Sequence, residues 1–526
     1  VTTAQIATRD RLLVSFDGFD LGSEAAEAIA RRAAGVTLYR HLNIDTPAQV
    51  RALTDTLQVA AARLGFAPLL ISADHETGQL HAMGPGATPF AGAMALGATG
   101  DTELAERVGQ AIGTELRAMG VTLCYAPVCD LATNPRNPVV GIRAFGDEPA
   151  AVGAMAAATV RGLQSAGVAA TVKHLPGHGE PGGDTHLELP VIERTRAELV
   201  ARELVPFAAA IAAGARVAMA GHLAVPALTG RRDLPATLAR AVVHDLLRDE
   251  LGFGGLAVSD ALDMGAVTDA CGGTINLASA ALRAGTDLLL CGPDPAAQVR
   301  VEAGLAAAFA GSELDPGESA ASTARLAELG AWLARFERPP IEVVGSAEHH
   351  ALAAELAARS ITLIRDRDGL VPGRIRSAGR VLVIEPRPRN LTPADTTSSL
   401  APGGLADAIR TRHGGVESIV IEAAVADREI AALRVRAAAA DLVILGTVDA
   451  LGQPTVADLA RVLVATGRPV VAVALRGPWD ADAYPEVGTV LATYGIQAPT
   501  ITALAAALVG DAPISASLPV RLRAAD

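Results

Sequence analysis

Short apolar runs of strand length alternate with Ala-rich amphipathic stretches through the first part of the chain. The runs are RLLVSF (11–16), GVTLYR (35–40), PLLISAD (68–74), VTLCYAPVCD (121–130), VAATVKH (168–174), VAMAGH (217–222), LAVSDAL (256–262) and TDLLLCG (286–292). Their β-branched content and flanking Gly, Asp and Pro mark them as strands. The segments between them carry helical periodicity. In DTPAQVRALTDTLQVAAARLG, Thr46 is placed to cap a helix and Gly65 to terminate it. Eight strands alternating with helices fit a (β/α)8 barrel, although a doubly wound parallel sheet produces much the same local pattern.

Beyond Leu329 the Pro-containing GAWLARFERPPIEVVG fits a linker. A second series follows: SITLIRD (360–366), RVLVIEP (380–386), ESIVIEA (417–423), DLVILGT (441–447), PVVAVAL (469–475) and TVLATYG (489–495). Continuous apolar strands of this kind imply a sheet covered by helices on both faces. The expected organisation is α/β throughout: an N-terminal (β/α)8 TIM-like barrel over residues 1–335, then a C-terminal α/β/α sandwich domain over 336–526.

Composition narrows the function. The 526 residues are 50% hydrophobic and 19% charged, which suits a globular chain, and the net charge of −13 comes without any basic block. Nucleic acid and anionic membrane both call for clustered Lys and Arg, so neither is expected as a partner. Cys124, Cys129, Cys271 and Cys291 form no CxxC pair and too sparse a set for a disulfide framework. No run has transmembrane length, and the N-terminus lacks a signal-peptide pattern, so a cytoplasmic location is expected.

Charged or imidazole groups close seven of the first eight runs: Asp17, Arg40, Asp74, Asp130, Lys173 with His174, His222, and Asp260. Singly, each is readable as a solvated strand terminus. Together they are the pattern of a barrel whose strand ends converge on one mouth. Lys173 stands apart, because it is the only lysine among 44 basic residues. A chain that uses arginine everywhere else and keeps one lysine points to a place where a compact ammonium is required, with chance retention as the plainer alternative.

Lys173 opens KHLPGHGEPGGDTHLELP, whose glycines and prolines make it a loop. Asp184 and His186 within it are two residues apart. A carboxylate can there hold one imidazole nitrogen while the other faces a substrate, an arrangement suited to general acid/base work; a capping Asp beside a surface His is the plainer alternative. His174, His178 and His186 do not make a metal site, since Pro176 and the glycines forbid a shared helix face and no HExxH accompanies them. Asp260, ending an apolar strand, is a candidate nucleophile, with a helix N-cap as the alternative.

KHLPGHGEPGGDTH, GFGGLAVSDALDMGAV and the upstream APVCDLATNPRNPVVGIRAFGDEP resemble glycoside hydrolase family 3, in its β-N-acetylglucosaminidase branch. The likeness extends to RDRLLVSFDG, PATLARAVVHDLLRDELGFGG and GPWDADAYPEVGTVLATYG, and so spans nearly the whole chain. It implies a retaining mechanism with Asp260 as nucleophile and an acid/base pair of His186 and Asp184 on the loop after the KH strand. It implies sugar contacts from Asp74, Arg143, Lys173 and His174, with no metal or other cofactor. The departures cluster in ADHETGQLHAMG: Thr77 stands where the family has Gly, and Ala82 where an arginine often contacts substrate. Leu175 replaces a Phe.

The resemblance implies an exo-acting enzyme removing terminal β-linked N-acetylglucosamine from small carbohydrates, muropeptide or chitooligosaccharide fragments, as in cell-wall recycling. An imidazole repels an incoming anion less than a carboxylate does, so phosphorolysis on the same site is the nearest alternative. A glycan-binding protein without activity is the alternative of a different class. With 3% aromatic residues the chain has few rings for an extended stacking platform, which favours a pocket for one terminal sugar.

Overall fold

The computed structural model describes residues 10–31, 33–180, 189–264, 274–311, 313–392, 395–422 and 424–523. Eight strands form the first sheet: β1 (Leu12–Val14), β2 (Gly35–Leu38), β3 (Leu70–Ala73), β4 (Leu123–Cys124), β5 (Ala169–Leu175), β6 (Val217–Ala220), β7 (Leu256–Ser259) and β8 (Leu289–Leu290). They pair in parallel in the order β8-β1-β2-β3-β4-β5-β6-β7. A parallel bridge between Val258 and Leu288 joins the last strand to the residue before β8. The ring closes, so the fold is the barrel and not the doubly wound sheet.

Alternation along the strands sorts side chains between two layers. Leu13, Leu70, Leu123, Ala169, Val217 and Leu256 fill the barrel interior, while Leu12, Val14, Val36, Ile71 and Val172 face the surrounding helices. The helices start and stop where local chemistry directs. In Pro47–Arg63, the Thr46 hydroxyl accepts from the Gln49 N–H, Pro47 occupies the first turn, and Gly65 turns the chain away at φ +73°.

Two boundaries differ from the sequence reading. The run 121–130 is a ladder strand only at Leu123–Cys124; Pro127 has no N–H to give, and the chain continues irregularly beside β5, with Cys129 N–H donating to the Lys173 carbonyl at 2.7 Å. The stretch read as a linker beyond Leu329 begins as helix, the end of Pro316–Leu333, because Trp332 and Leu333 are buried with the interior cluster.

The second sheet has six strands: β9 (Thr362–Asp366), β10 (Val381–Pro386), β11 (Val416–Ile421), β12 (Leu442–Thr447), β13 (Val470–Ala474) and β14 (Thr489–Ala492). Their order is β9-β14-β13-β12-β10-β11, antiparallel at β9 and parallel elsewhere. The central strands are buried on both faces as expected. The edge strands β9 and β11 are half-covered, the usual compromise at a sheet margin. Helices Gly404–Arg410 and Ala498–Val509 cover one face. Helices Asp427–Ala438 and Pro454–Val464 cover the other, in a core continuous with the outer layer of the barrel.

The second unit meets the barrel at several places, among them the loop beside the strand ends. Thr396 donates its N–H and hydroxyl to the Gln79 carbonyl, both at 2.8 Å, and the Gln497 amide donates to the Gly78 carbonyl at 2.5 Å. Both carbonyls belong to the turn that follows β3. Among the described residues no helix is long and apolar enough to cross a membrane.

Candidate active site

A cavity of about 650 Å³ opens at the C-terminal ends of the barrel strands. Arg40, Asp74, Arg143, Lys173, His174 and Asp260 all line it, which brings together six of the residues singled out from sequence. Asp17 is exposed and does not line it. Asp184 and His186 lie outside the described residues, as does Cys271.

The floor on one side is a charge network. Lys173 is 2% exposed, and its Nζ lies 2.5 Å from Asp74 Oδ1 and 2.6 Å from Glu76 Oε1. Arg143 takes the same Glu76 in both hands, Nε and Nη2 each donating at 2.7 Å, and its Nη1 donates to the Val139 carbonyl at 2.9 Å. Burial pushes the Glu76 carboxyl up, but Arg143 and Lys173 outweigh it and bring it down to about 2. Burial likewise works against the Lys173 ammonium, while Asp74 and Glu76 hold it charged and raise its pKa. Two cations and two carboxylates thus alternate, with Asp74, Arg143 and Lys173 at the cavity wall and Glu76 behind it, leaving Asp74 the more exposed acid with oxygen free to accept from a substrate hydroxyl.

Beside it, Asp130 is fully buried and organises the KHLPGHG turn. Its Oδ1 accepts from the backbone N–H of His174 (3.1 Å) and His178 (2.7 Å), and its Oδ2 lies 2.7 Å from His174 Nδ1. Burial raises the Asp130 carboxyl, yet His174 and His178 bring it below its ordinary value. A carboxylate on Nδ1 fixes that nitrogen as the donor and leaves Nε2 of His174 toward the cavity. His178 stands edge-on to His174 at 5.7 Å, and burial, with His174 next to it, lowers its pKa to about 4. It is therefore a neutral imidazole near pH 7.

Asp260 follows β7 and is partly exposed at the cavity. Burial pushes its carboxyl up, but His222, His174, the N–H of Ala261 and Lys173 outweigh this and hold it below the usual range. The Ala261 N–H donates to Oδ1 at 2.8 Å, so the local cap and a free second oxygen coexist. Behind it His222 is fixed by its Nδ1 at 2.9 Å from the Thr237 hydroxyl and its Nε2 at 2.9 Å from the Ala261 carbonyl. An ionised carboxylate with one oxygen held and one facing a cavity can act as a nucleophile.

Sequence reasoning missed Glu76, the common partner of Arg143 and Lys173, although it sits two residues from Asp74. It missed the second unit's part in the cavity altogether: Asn390, Asp395, Thr396, Ser398 and Ser399 line the wall. Asp395 is buried, pairs with Arg476, and accepts from the N–H groups of Leu391 (3.2 Å) and Thr397 (2.8 Å). Asn390 accepts from the Ser398 N–H at 2.7 Å. Nothing in the local sequence signals these residues, since their relevance comes from docking across the chain.

The departures after β3 have visible consequences. Thr77 sits at φ +66°, a left-handed conformation that a β-branched residue rarely takes and Gly takes freely. Ala82 is buried at the cavity wall with no charge to offer. Arg40 lines the same cavity; its Nη1 donates to the carbonyls of Ile44 (2.9 Å) and Asp45 (3.2 Å), and no carboxylate among the described residues pairs with it. Trp332 and Trp479 are both buried away from the cavity, so neither serves as a sugar platform.

A family model described as the N-terminal domain of glycosyl hydrolase family 3 matches residues 12–327. A β-N-acetylglucosaminidase/β-glucosidase of Cellulomonas fimi is 31% identical over 90% of this chain and 86% of its own length. A β-hexosaminidase of Stenotrophomonas maltophilia is 37% identical over 54% of this chain and 84% of its own length. Among solved structures, a family 3 β-N-acetylglucosaminidase from Paenibacillus sp. superposes with a TM-score of 0.92 at 32% identity, covering 99% of both chains. With the barrel, the second α/β unit and a carboxylate-rich cavity at the strand ends, these findings settle the lineage: the chain belongs to glycosyl hydrolase family 3 and is a glycosidase.

Proposed function

We propose that the protein is a retaining, exo-acting β-N-acetylglucosaminidase that removes terminal β-linked N-acetylglucosamine from chitooligosaccharide or muropeptide fragments. The observation that carries this reading is the ionised, half-held carboxylate of Asp260 in one cavity with the Asp74–Lys173 pair and His174. The names of the similar proteins, hexosaminidases and N-acetylglucosaminidases, support the sugar. In this reading the substrate-binding residues are Asp74, Arg143, Lys173 and His174, with Arg40 supplying the basic side chain that Ala82 lacks.

The free oxygen of Asp260 attacks the anomeric carbon while His186, oriented and kept protonated by Asp184, gives its proton to the leaving oxygen. A covalent glycosyl-aspartate forms and the aglycone departs. His186 then takes a proton from water, the water oxygen bonds to the same carbon from the side the aglycone left, and Asp260 is released, so configuration is retained. Lys173 holds Asp74 in place to accept from sugar hydroxyls, and Asp130 holds His174. Turnover of cell-wall fragments in the cytoplasm is the corresponding physiological proposal.

The test is cleavage of 4-nitrophenyl N-acetyl-β-glucosaminide against its glucose analogue, with and without phosphate, with the sugar product identified by mass. Free N-acetylglucosamine in both conditions is the expected result. N-acetylglucosamine 1-phosphate as the main product would replace the hydrolase by a phosphorylase, and preference for the glucoside would replace the sugar. No turnover of either substrate by folded protein would overturn the reading.

A further inference from the structure

The opposite end of the barrel holds a second cavity, of about 460 Å³, between the N-terminal ends of β1 and β8, the helical segment Ala241–Glu250 and the helix Pro316–Leu333. Its deep wall is cationic. Arg11, just before β1, is 2% exposed and makes no ion pair among the described residues, Asp287 and Asp10 acting on it from beyond contact; its guanidinium donates to the Ser319 carbonyl (2.7 Å), the Thr323 hydroxyl (2.9 Å) and the Ser322 hydroxyl. Arg248 and Arg325 share one fully buried carboxylate, Asp287, at 2.6 and 2.7 Å, and the Asp287 Oδ2 also takes the Ala257 N–H. Two guanidiniums therefore share a single acid, and a third, Arg11, lies near it on hydroxyl and carbonyl oxygens alone.

The other lining charges do not compensate at depth. Arg240 and Arg283 are matched one to one with Glu318 and Glu313 nearer the rim, and Asp315 is engaged in capping its helix through the Glu318 N–H. The residues that line the cavity include five arginines and four carboxylates, and the acids beyond them act on single arginines, Asp10 on Arg11 and Asp245 with Asp249 on Arg240 at the rim. Burying guanidiniums in excess of their counter-ions is costly, and the cost is relieved by an anion supplied from outside. A second and independent observation marks where it would sit: Thr286, a lining residue 4% exposed, has a buried hydroxyl with no hydrogen-bond partner among the described residues.

We propose that this cavity binds a small oxyanion of the phosphate class, either inorganic phosphate or the phosphate of a small ester. Its oxygens accept from Thr286 and from the inner guanidiniums, and its charge answers the excess left by Arg11, Arg248 and Arg325. The site is separate from the sugar cavity, since Thr286 and Asp287 precede β8 whereas Asp260 follows β7. Its occupant would brace the bases of β7 and β8, where Asp287 ties Arg248 to the Ala257 N–H.

The experiment is isothermal titration of the full chain with sodium phosphate, and in parallel with glucose 6-phosphate, in chloride buffer at constant ionic strength. Saturable binding is expected, weakened about tenfold or more by Thr286→Val and by Arg11→Gln and unchanged by Asp260→Asn. Tighter binding of the ester supports an ester ligand, and equal binding supports free phosphate. Thr286→Val leaves the Arg11 contacts intact, so it decides the matter where Arg11→Gln fails to fold. Absence of saturable binding, binding indifferent to Thr286→Val, or binding changed by Asp260→Asn, most simply strengthened as a repelling carboxylate is removed, which would put the anion in the sugar cavity, overturns the proposal.

Discussion

Replacing Glu76 by Gln tests whether the network at the cavity wall is held by charge. The substitution keeps the shape and one acceptor for Arg143 but leaves Lys173 with Asp74 alone. The folded carboxyl titrates at about 2 against an ordinary value of 4.5. At about 1.4 kcal/mol per pH unit, that difference corresponds to about 3 kcal/mol of stability, and the side chain is only 6% exposed, so solvent discounts it little. Because the folded value is the lower one, the contribution is complete above about pH 4.5 and fades as the pH falls toward 2. A shift of ~2–4 °C per kcal/mol puts the expected fall in the barrel transition at roughly 6 °C or more at pH 7. The gap between wild type and variant should shrink as the pH is lowered from 4.5 toward 2. The assay is differential scanning calorimetry at several pH values, with KM for 4-nitrophenyl N-acetyl-β-glucosaminide as the second readout, expected to rise about tenfold as Lys173 and Asp74 lose their alignment. A transition within 1 °C of wild type at pH 7, or a gap that does not change with pH, would refute the reasoning.

Three further outcomes are expected. Asp260→Ala should lower kcat by about 10³-fold or more without loss of thermal stability, since it removes a nucleophile that needed several neighbours to stay ionised; steady-state kinetics and calorimetry check both halves. Thr77→Gly should raise the unfolding free energy by up to about 1 kcal/mol, because relief of a left-handed β-branched residue exceeds the added freedom of the unfolded chain; a lower transition temperature would show that Thr77 is not strained. Asp395→Asn should loosen the segment carrying Asn390 and Ser398, raising KM for N,N′-diacetylchitobiose more than for the 4-nitrophenyl glycoside; equal effects on both would mean that this wall does not meet the second sugar.

The barrel and the second sheet were legible because each strand and helix is specified by neighbours within a turn or two. Thr46, Pro47 and Gly65 bound one helix by themselves, and the alternation of side-chain direction in β1 decides that Leu13 enters the barrel while Leu12 and Val14 face outward. What local pattern could not choose was the closed barrel over the doubly wound sheet, since that choice is made by the pairing of β7 with the segment at Leu288. The edge strands β9 and β11 were read as fully covered because apolar content does not report which strands lie at a margin. In the site, the strand-end rule found Asp74, Lys173, His174 and Asp260, but Asp130 and His222 turned out to support neighbours from beneath. Glu76 escaped because its chief partner, Arg143, lies 67 positions away.

The single lysine shows how a compositional signal becomes a geometric one. Lys173 occupies a slot 2% exposed, between two carboxylates at 2.5 and 2.6 Å, beside a guanidinium that already uses both oxygens of Glu76. A second guanidinium there would need room for a planar fork and would meet Glu76 with its acceptor directions largely spent. An ammonium is compact and has three donors that rotate to suit, so it can bridge Asp74 and Glu76 from one point. The arginine preference of the chain therefore yields at this position for a steric reason and an electrostatic one together. Both reasons act on Asp74, the carboxylate left facing the cavity, which is where a change at Lys173 would be felt by substrate.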